Sequence, residues 1–207
     1  MADNWTNLFS ILMNDDDQKL REIVPSQFGE NTIFLPQIFD SLCNSIAFSE
    51  NHSLLTIAVS LNKIKCAKYL CSVGANINYQ TSTGYFPLTY SISNRNIDLM
   101  IFLLQSKDIN LNLYTNEGYF PIHIAALSEN LQIMKYLLNQ HLYDPNLFTK
   151  NENATTPLIL ALENGNDETA RILLANGAKP DLPSANKTYP LHAAIKGSNI
   201  NLIIDLF

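Results

Sequence analysis

Apolar positions along this chain fall in a pattern that restarts about every 33 residues. Each cycle has a short apolar block, a longer stretch with a helical period, and a polar segment rich in Asn, Ser and Thr. Five blocks align: Ser53-Leu54-Leu55-Thr56-Ile57-Ala58, Phe86-Pro87-Leu88-Thr89-Tyr90-Ser91, Phe120-Pro121-Ile122-His123-Ile124-Ala125, Thr156-Pro157-Leu158-Ile159-Leu160-Ala161 and Tyr189-Pro190-Leu191-His192-Ala193-Ala194. Their second residues stand at 54, 87, 121, 157 and 190, so the steps are 33, 34, 36 and 33. Within this register the tetrapeptide Gly-Tyr-Phe-Pro occurs twice, at Gly84–Pro87 and Gly118–Pro121. A period of this length marks a stack of small units, each packed only on its neighbours.

The pattern predicts two helices per unit. Each Pro fits the first helical turn, where its missing N–H costs nothing. The residue before it is the N-cap, and Thr156 can cap with its hydroxyl. Phe86, Phe120 and Tyr189 cannot, so those helices are expected to rely on ring packing or on backbone and His contacts. First helices span about two turns, for example Pro121–Ser128, and small residues Ala58, Ser91, Ala125, Ala161 and Ala194 let units approach. Second helices carry inward sets at a 3.6-residue period. These are Ile64, Cys66, Ala67, Leu70 and Cys71, then Leu131, Ile133, Met134, Leu137 and Leu138, then Ile172, Leu173 and Leu174. Gly74 and Gly177 fit helix stops with positive φ. The polar segments, such as Ala75–Thr83 and Ile109–Glu117, read as turns, and the one near Asp144–Ala154 holds the extra residues of the 36-step.

Residues 1–50 lie outside the repeat. Trp5, Leu8, Phe9 and Leu12 suggest one helix. Asp15–Asp17 read as the cap of a second, which carries Leu20, Ile23 and Val24 and ends at Pro25; a third spans about Pro36–Ala47. A stack needs atypical ends to cover its last apolar face, so this region is expected to be a helical N-terminal cap. Residues 51–207 then make about five repeats, the last one incomplete, because Leu202, Ile203, Leu206 and Phe207 have no polar cap after them. The expectation is a piece of a longer protein.

The repeated block resembles the Thr-Pro-Leu-His-x-Ala signature of the ankyrin repeat family. His123 and His192 keep its His, and Thr156 keeps its Thr. Gly74-Ala75-Asn76-Ile77-Asn78 and Gly177-Ala178-Lys179-Pro180-Asp181 are similar to the family's Gly-Ala-Asp-x-Asn. The resemblance covers residues 51–207. A narrower resemblance, through Ile64-Lys65-Cys66-Ala67-Lys68-Tyr69-Leu70 and the helical start, is to protozoan ankyrin proteins with an uncharacterised helical N-terminal region. The family resemblance implies an all-α ankyrin-repeat solenoid of helix-turn-helix units with β-hairpin-like fingers.

It also implies a function: non-catalytic binding of a protein or peptide on the concave side, at finger tips and the exposed ends of first helices. The corresponding tip positions here are Ser82, Thr83, Tyr85, Asn116, Glu117, Tyr119, Thr155 and Thr188. The helix positions are Ser93, Asn94, Leu127, Ser128, Glu163 and Asn164. Tyr85 and Tyr119 carry the most weight, because Tyr supplies contact area and a polar tip at little entropic cost. The alternative is a regulatory or targeting segment of a larger enzyme or channel.

Charge and candidate chemistry refine this reading. The net charge of −6 sits in residues 1–50, with eight acids against two bases, and the repeats are neutral. A neutral array without a basic stripe argues against nucleic acid as partner. That acidic start reads as a solvated helical face. No signal peptide and no stretch of roughly 20 apolar residues appears, so no membrane insertion, a cytoplasmic location and a monomer are expected. Cys66 and Cys71 read as core residues, and Cys43 completes an odd count without metal-type spacing. His123 and His192 are the candidate bases, but the family resemblance makes them local struts of the finger. His52 and His141 read as isolated surface residues. No nucleophile–base pair or phosphate-cradling Gly run stands out. The expectation is no catalytic site, no cofactor and no metal.

Overall fold

In a computed structural model, residues 10–27 and 52–197 are described. The chain forms two units, residues 1–110 and 111–207. The expected helix at 36–47, the residues at 5, 8 and 9, and the final stretch at 199–207 lie outside the described residues.

The first unit contains α1 (Asp17–Gln27), α2 (Leu54–Ser60), α3 (Ile64–Ser72), α4 (Pro87–Ser93) and α5 (Ile97–Leu104). Its helix α1 runs two residues past Pro25. Ile11, Leu12 and Leu20 are buried in one core with Leu55, Ile57, Ala58, Cys66, Ala67 and Leu70. The N-terminal segment therefore covers apolar surface of the first repeat pair.

Polar contacts fix that docking. Asp16 caps its own helix, accepting from Lys19 N–H at 3.1 Å, and this bond holds its carboxyl below the usual carboxylate range. Asp15 does something else. Its φ is +52°, and its carboxylate accepts from Lys65 N–H at 3.2 Å and Cys66 N–H at 3.0 Å. The N-cap of α3 is Lys63, which makes no side-chain cap, so Asp15 supplies the missing acceptor from 50 residues upstream. Lys63 Nζ in turn donates to Met13 O at 2.6 Å, and the Arg21 guanidinium lies 4.7 Å from the Tyr69 ring centre. The expected capping cluster is thus split between two helices.

The second unit contains α6 (Pro121–Leu127), α7 (Leu131–Asn139), α8 (Pro157–Glu163), α9 (Asp167–Ala175) and α10 (Pro190–Lys196). Helix α8 packs against α6, α9 and α10, and α7 packs against α9. First helices are almost wholly apolar, and α8 buries Pro157 through Leu162. Second helices bury one face, as in α7 with Ile133, Met134, Leu137 and Leu138. In α9 the buried set is Thr169, Ala170 and Leu173; Ile172 and Leu174 are only partly covered, because the inward face lies one turn edge over from the expected triplet.

Helix starts follow the chemistry of the N-cap. Thr156 Oγ1 accepts from Ile159 N–H at 3.3 Å. Where an aromatic residue stands there, the third helical residue reaches back instead. Phe86 N–H donates to Thr89 Oγ1 at 2.9 Å, Phe120 N–H to His123 Nδ1 at 3.1 Å, and Tyr189 N–H to His192 Nδ1 at 3.3 Å. Gly74 and Gly177 end second helices at φ +87° and +91°. The turns between paired helices use Asn62, Arg95, Glu129 and Gly165 at positive φ.

Among the described residues the fingers hold no β-ladder. Each is a tight turn whose ends are joined by a backbone bond: Thr81 N–H to Tyr85 O, Thr115 N–H to Tyr119 O, Thr149 N–H to Thr155 O and Ser184 N–H to Thr188 O. The third closure spans six positions and the others four, so the inserted residues sit at the tip before α8. Finger bases are tied by asparagine. Asn78 Nδ2 donates to Asp108 O at 2.7 Å while its Oδ1 accepts from Asn110 N–H at 2.9 Å. Asn146 repeats this on Gly177 O and Lys179 N–H, at 2.9 and 2.8 Å.

Candidate partner-binding surface

In the second unit, Tyr119 follows the finger glycine and stands half-buried before α6. Its ring centre is 6.3 Å from that of His123. His123 itself is fully buried: Nδ1 accepts from Phe120 N–H, and Nε2 lies 2.9 Å from Leu147 O in the next repeat. With Nδ1 accepting, the proton is on Nε2, which donates to that carbonyl. Burial depresses the His123 pKa to about 4, outweighing its backbone bonds. The imidazole is therefore neutral, saturated and sealed from solvent, which leaves no proton-transfer role. The finger glycine Gly118 has φ +83°, and a Cβ there would lie 2.5 Å from Asn151 N. That close approach lets Lys150 N–H donate to Gly118 O at 2.8 Å and Asn151 Nδ2 to Glu117 O at 2.8 Å.

The fingers of this unit and α8 line a half-open cavity of about 160 Å³. Tyr119 lies on one side; Asn151, Asn153 and Thr155 come from the finger before α8. Ile159, Leu160 and Glu163 form the helical floor, and Ser184, Asn186 and Thr188 close it from the finger before α10. Asn186 Nδ2 donates to Asn153 Oδ1 at 2.6 Å, so the wall is preorganised. Burial, followed by the charges of Glu117 and Glu163, raises the Tyr119 phenol pKa and keeps its O–H as a donor. Glu163 Oε1 accepts from Lys196 Nζ at 3.0 Å.

A family model described as "Ankyrin repeats (3 copies)" matches residues 22–115 and 110–184. This chain belongs to the ankyrin repeat family. It is also 38% identical over 61 residues to a putative ankyrin repeat protein, FPV034, of fowlpox virus (strain NVSL). That match covers 30% of this chain and 15% of the viral protein's length. Ankyrin repeats generally mediate protein–protein interaction, and proteins of the family are typically non-catalytic modules.

Within this ankyrin array the expected contact residues divide by what they already hold. Ser82, Thr83, Ser93, Asn116 and Glu117 are exposed. Tyr85, Tyr119, Leu127, Ser128, Glu163 and Thr188 are partly covered, and the Tyr85 ring lies 5.4 Å from that of Tyr90 in its own repeat. Asn94 is engaged structurally, with Nδ2 donating to Val59 O and Ser60 O at 2.9 Å. Asn164 caps its own helix through Leu160 O, and Ser128 Oγ donates to Ala125 O.

Thr155 is a correction. It was expected at a surface tip and is 7% exposed. The longer finger folds over it, and Thr155 N–H donates to Thr149 Oγ1 at 2.9 Å, which draws it beneath the tip. His52 is also buried rather than on the surface, its ring 5.9 Å from Tyr90. Cys66 is in the core, whereas Cys71 is partly covered. Burial, with the Asp15 charge nearby, pushes the Cys66 thiol to about 12, and burial pushes Cys71 to about 11. Both thiols are therefore protonated near neutral pH.

Asn151, Asn153, Ser184 and Asn186 also line the cavity and are not among the contact residues that the sequence selects. Their signal was the recurrence of short polar side chains at matching finger positions, Asn153 and Asn186 being 33 residues apart. Among the described residues no helix is long and apolar enough to cross a membrane. No group of three or more His, Cys, Asp and Glu residues among them could hold a metal ion.

Proposed function

We propose that this chain is a non-catalytic interaction module that binds a protein or peptide on its finger and first-helix surface. The observation that carries the reading is Tyr119, half-buried beside a polar cavity whose walls are already hydrogen-bonded to each other. Preformed walls lower the entropic cost of association. Tyr119 keeps a donor O–H and an aromatic face for a partner. Tyr85 is the equivalent candidate in the first unit. Residues 1–50 are read as the cap of the stack and residues 51–207 as about five repeats, a division supported by Ile11, Leu12 and Leu20 in the repeat core. The working location is the cytoplasm, where protonated thiols at Cys66 and Cys71 stay reduced.

The test is affinity capture from a source lysate with the wild type beside Tyr85→Ala/Tyr119→Ala. A partner retained by the wild type and lost by a folded double variant is the expected result. An identical set of captured proteins would remove this surface from consideration.

A further inference from the structure

We propose that the cavity beside Glu163 receives a cationic side chain of the partner, arginine best of all; the inference rests on the interaction reading above. At about 160 Å³ the cavity is far smaller than the roughly 300 Å³ at which small-molecule pockets begin, so it suits one side chain. Glu163 is the charged residue that lines it. The chain already seats a cation on this carboxylate, because Lys196 Nζ donates to Oε1 at 3.0 Å. That lysine side chain is 71% exposed and Glu163 28%, so the pair is weak and readily displaced. The second oxygen, Oε2, accepts no hydrogen bond among the described residues.

A second group fits a guanidinium. Tyr119 offers an aromatic face on the same cavity. Thr155, whose buried Oγ1 has no hydrogen-bond partner among the described residues, belongs to the same wall. An anionic group would face Glu163, and the nearby ammonium of Lys196 is committed to that same carboxylate. A guanidinium instead presents a planar fork to the carboxylate and a flat face to the ring.

The test titrates the isotope-labelled full chain with N-acetyl-arginine amide, and separately with the neutral isostere N-acetyl-citrulline amide, following backbone amides by NMR. The expected result is a saturable shift at Thr155 and Glu163 with arginine and none with citrulline. Glu163→Gln should weaken it about tenfold, the worth of one charge-assisted bond. Lys196→Gln, which removes the internal competitor, should tighten it. Both positions are at the surface, and unchanged thermal midpoints confirm that the variants fold. Equal shifts with citrulline, shifts that survive Glu163→Gln, or no shifts at tens of millimolar overturn the proposal. If arginine fails while a captured partner still depends on Tyr119, only the cation inference falls. If arginine binds while no partner depends on Tyr119, the interaction reading falls instead.

Discussion

The two copies of Gly-Tyr-Phe-Pro are identical in sequence and differ in what holds them. At the first, Thr89 stands third in the helix, and both bonds of its hydroxyl, from Phe86 N–H and to Phe86 O, stay within the helix start. At the second, His123 takes that place and reaches from Phe120 N–H to Leu147 O, 24 residues away. The same finger is bonded onward through Gly118 O and Glu117 O. One residue outside the tetrapeptide makes the difference: the Thr89 hydroxyl bonds its own helix start, and the His123 ring also bonds a backbone carbonyl of the next repeat. The residue between Gly and Phe is in both copies a half-covered tyrosine.

The comparison is broken most severely at His123. His123→Ala should cost about 4 kcal/mol in urea unfolding, from a cavity and two orphaned buried backbone groups. Thr89→Val, which orphans one N–H, should cost about 1.5 kcal/mol. The histidine also predicts a pH dependence. Its folded pKa of about 4 lies below the ordinary 6.5, so the unfolded chain binds the proton more readily. The stabilisation is complete above pH 6.5 and is lost as pH falls through 4. The loss is roughly 3 kcal/mol, and the difference between wild type and His123→Gln isolates it from the carboxylates.

Glycine sharpens the same contrast. Gly118→Ala meets both a positive φ and the neighbouring finger backbone, and should cost about 3 kcal/mol. Gly74→Ala meets only the φ, since a Cβ there has nothing within 4 Å, and should cost about 1 kcal/mol. Equal losses at both glycines would mean that the finger approach at Gly118 carries no strain. Asp15→Ala should cost a similar amount, about 1 kcal/mol from the lost cap on α3, with early hydrogen exchange at Lys65 and Cys66.

Features governed by neighbours in the chain were readable from sequence. Pro at helix starts, the Thr156 cap, Gly74 and Gly177 as stops, and the insertion before α8 all follow from short windows and the period. Features set by partners one repeat away were not. Asp15 caps a helix 50 residues on, and no local pattern separates it from Asp16, which caps its own. The burial of Thr155 depends on how a longer finger closes, which spacing shows only as an extra length. Of the candidate surface, the exposed tips were legible. Asn94 was not distinguishable from them, because its two backbone acceptors lie on the preceding repeat.

The most direct measurement pairs stability and affinity in Tyr119→Ala. Because Tyr119 is half-buried and the structural ties run through its neighbours, unfolding free energy should fall by less than about 1 kcal/mol, while binding of the captured partner weakens by about 2 kcal/mol or more, near thirtyfold. Unchanged affinity, or a loss of stability that exceeds the loss of binding, would contradict the assignment of this tyrosine to a partner.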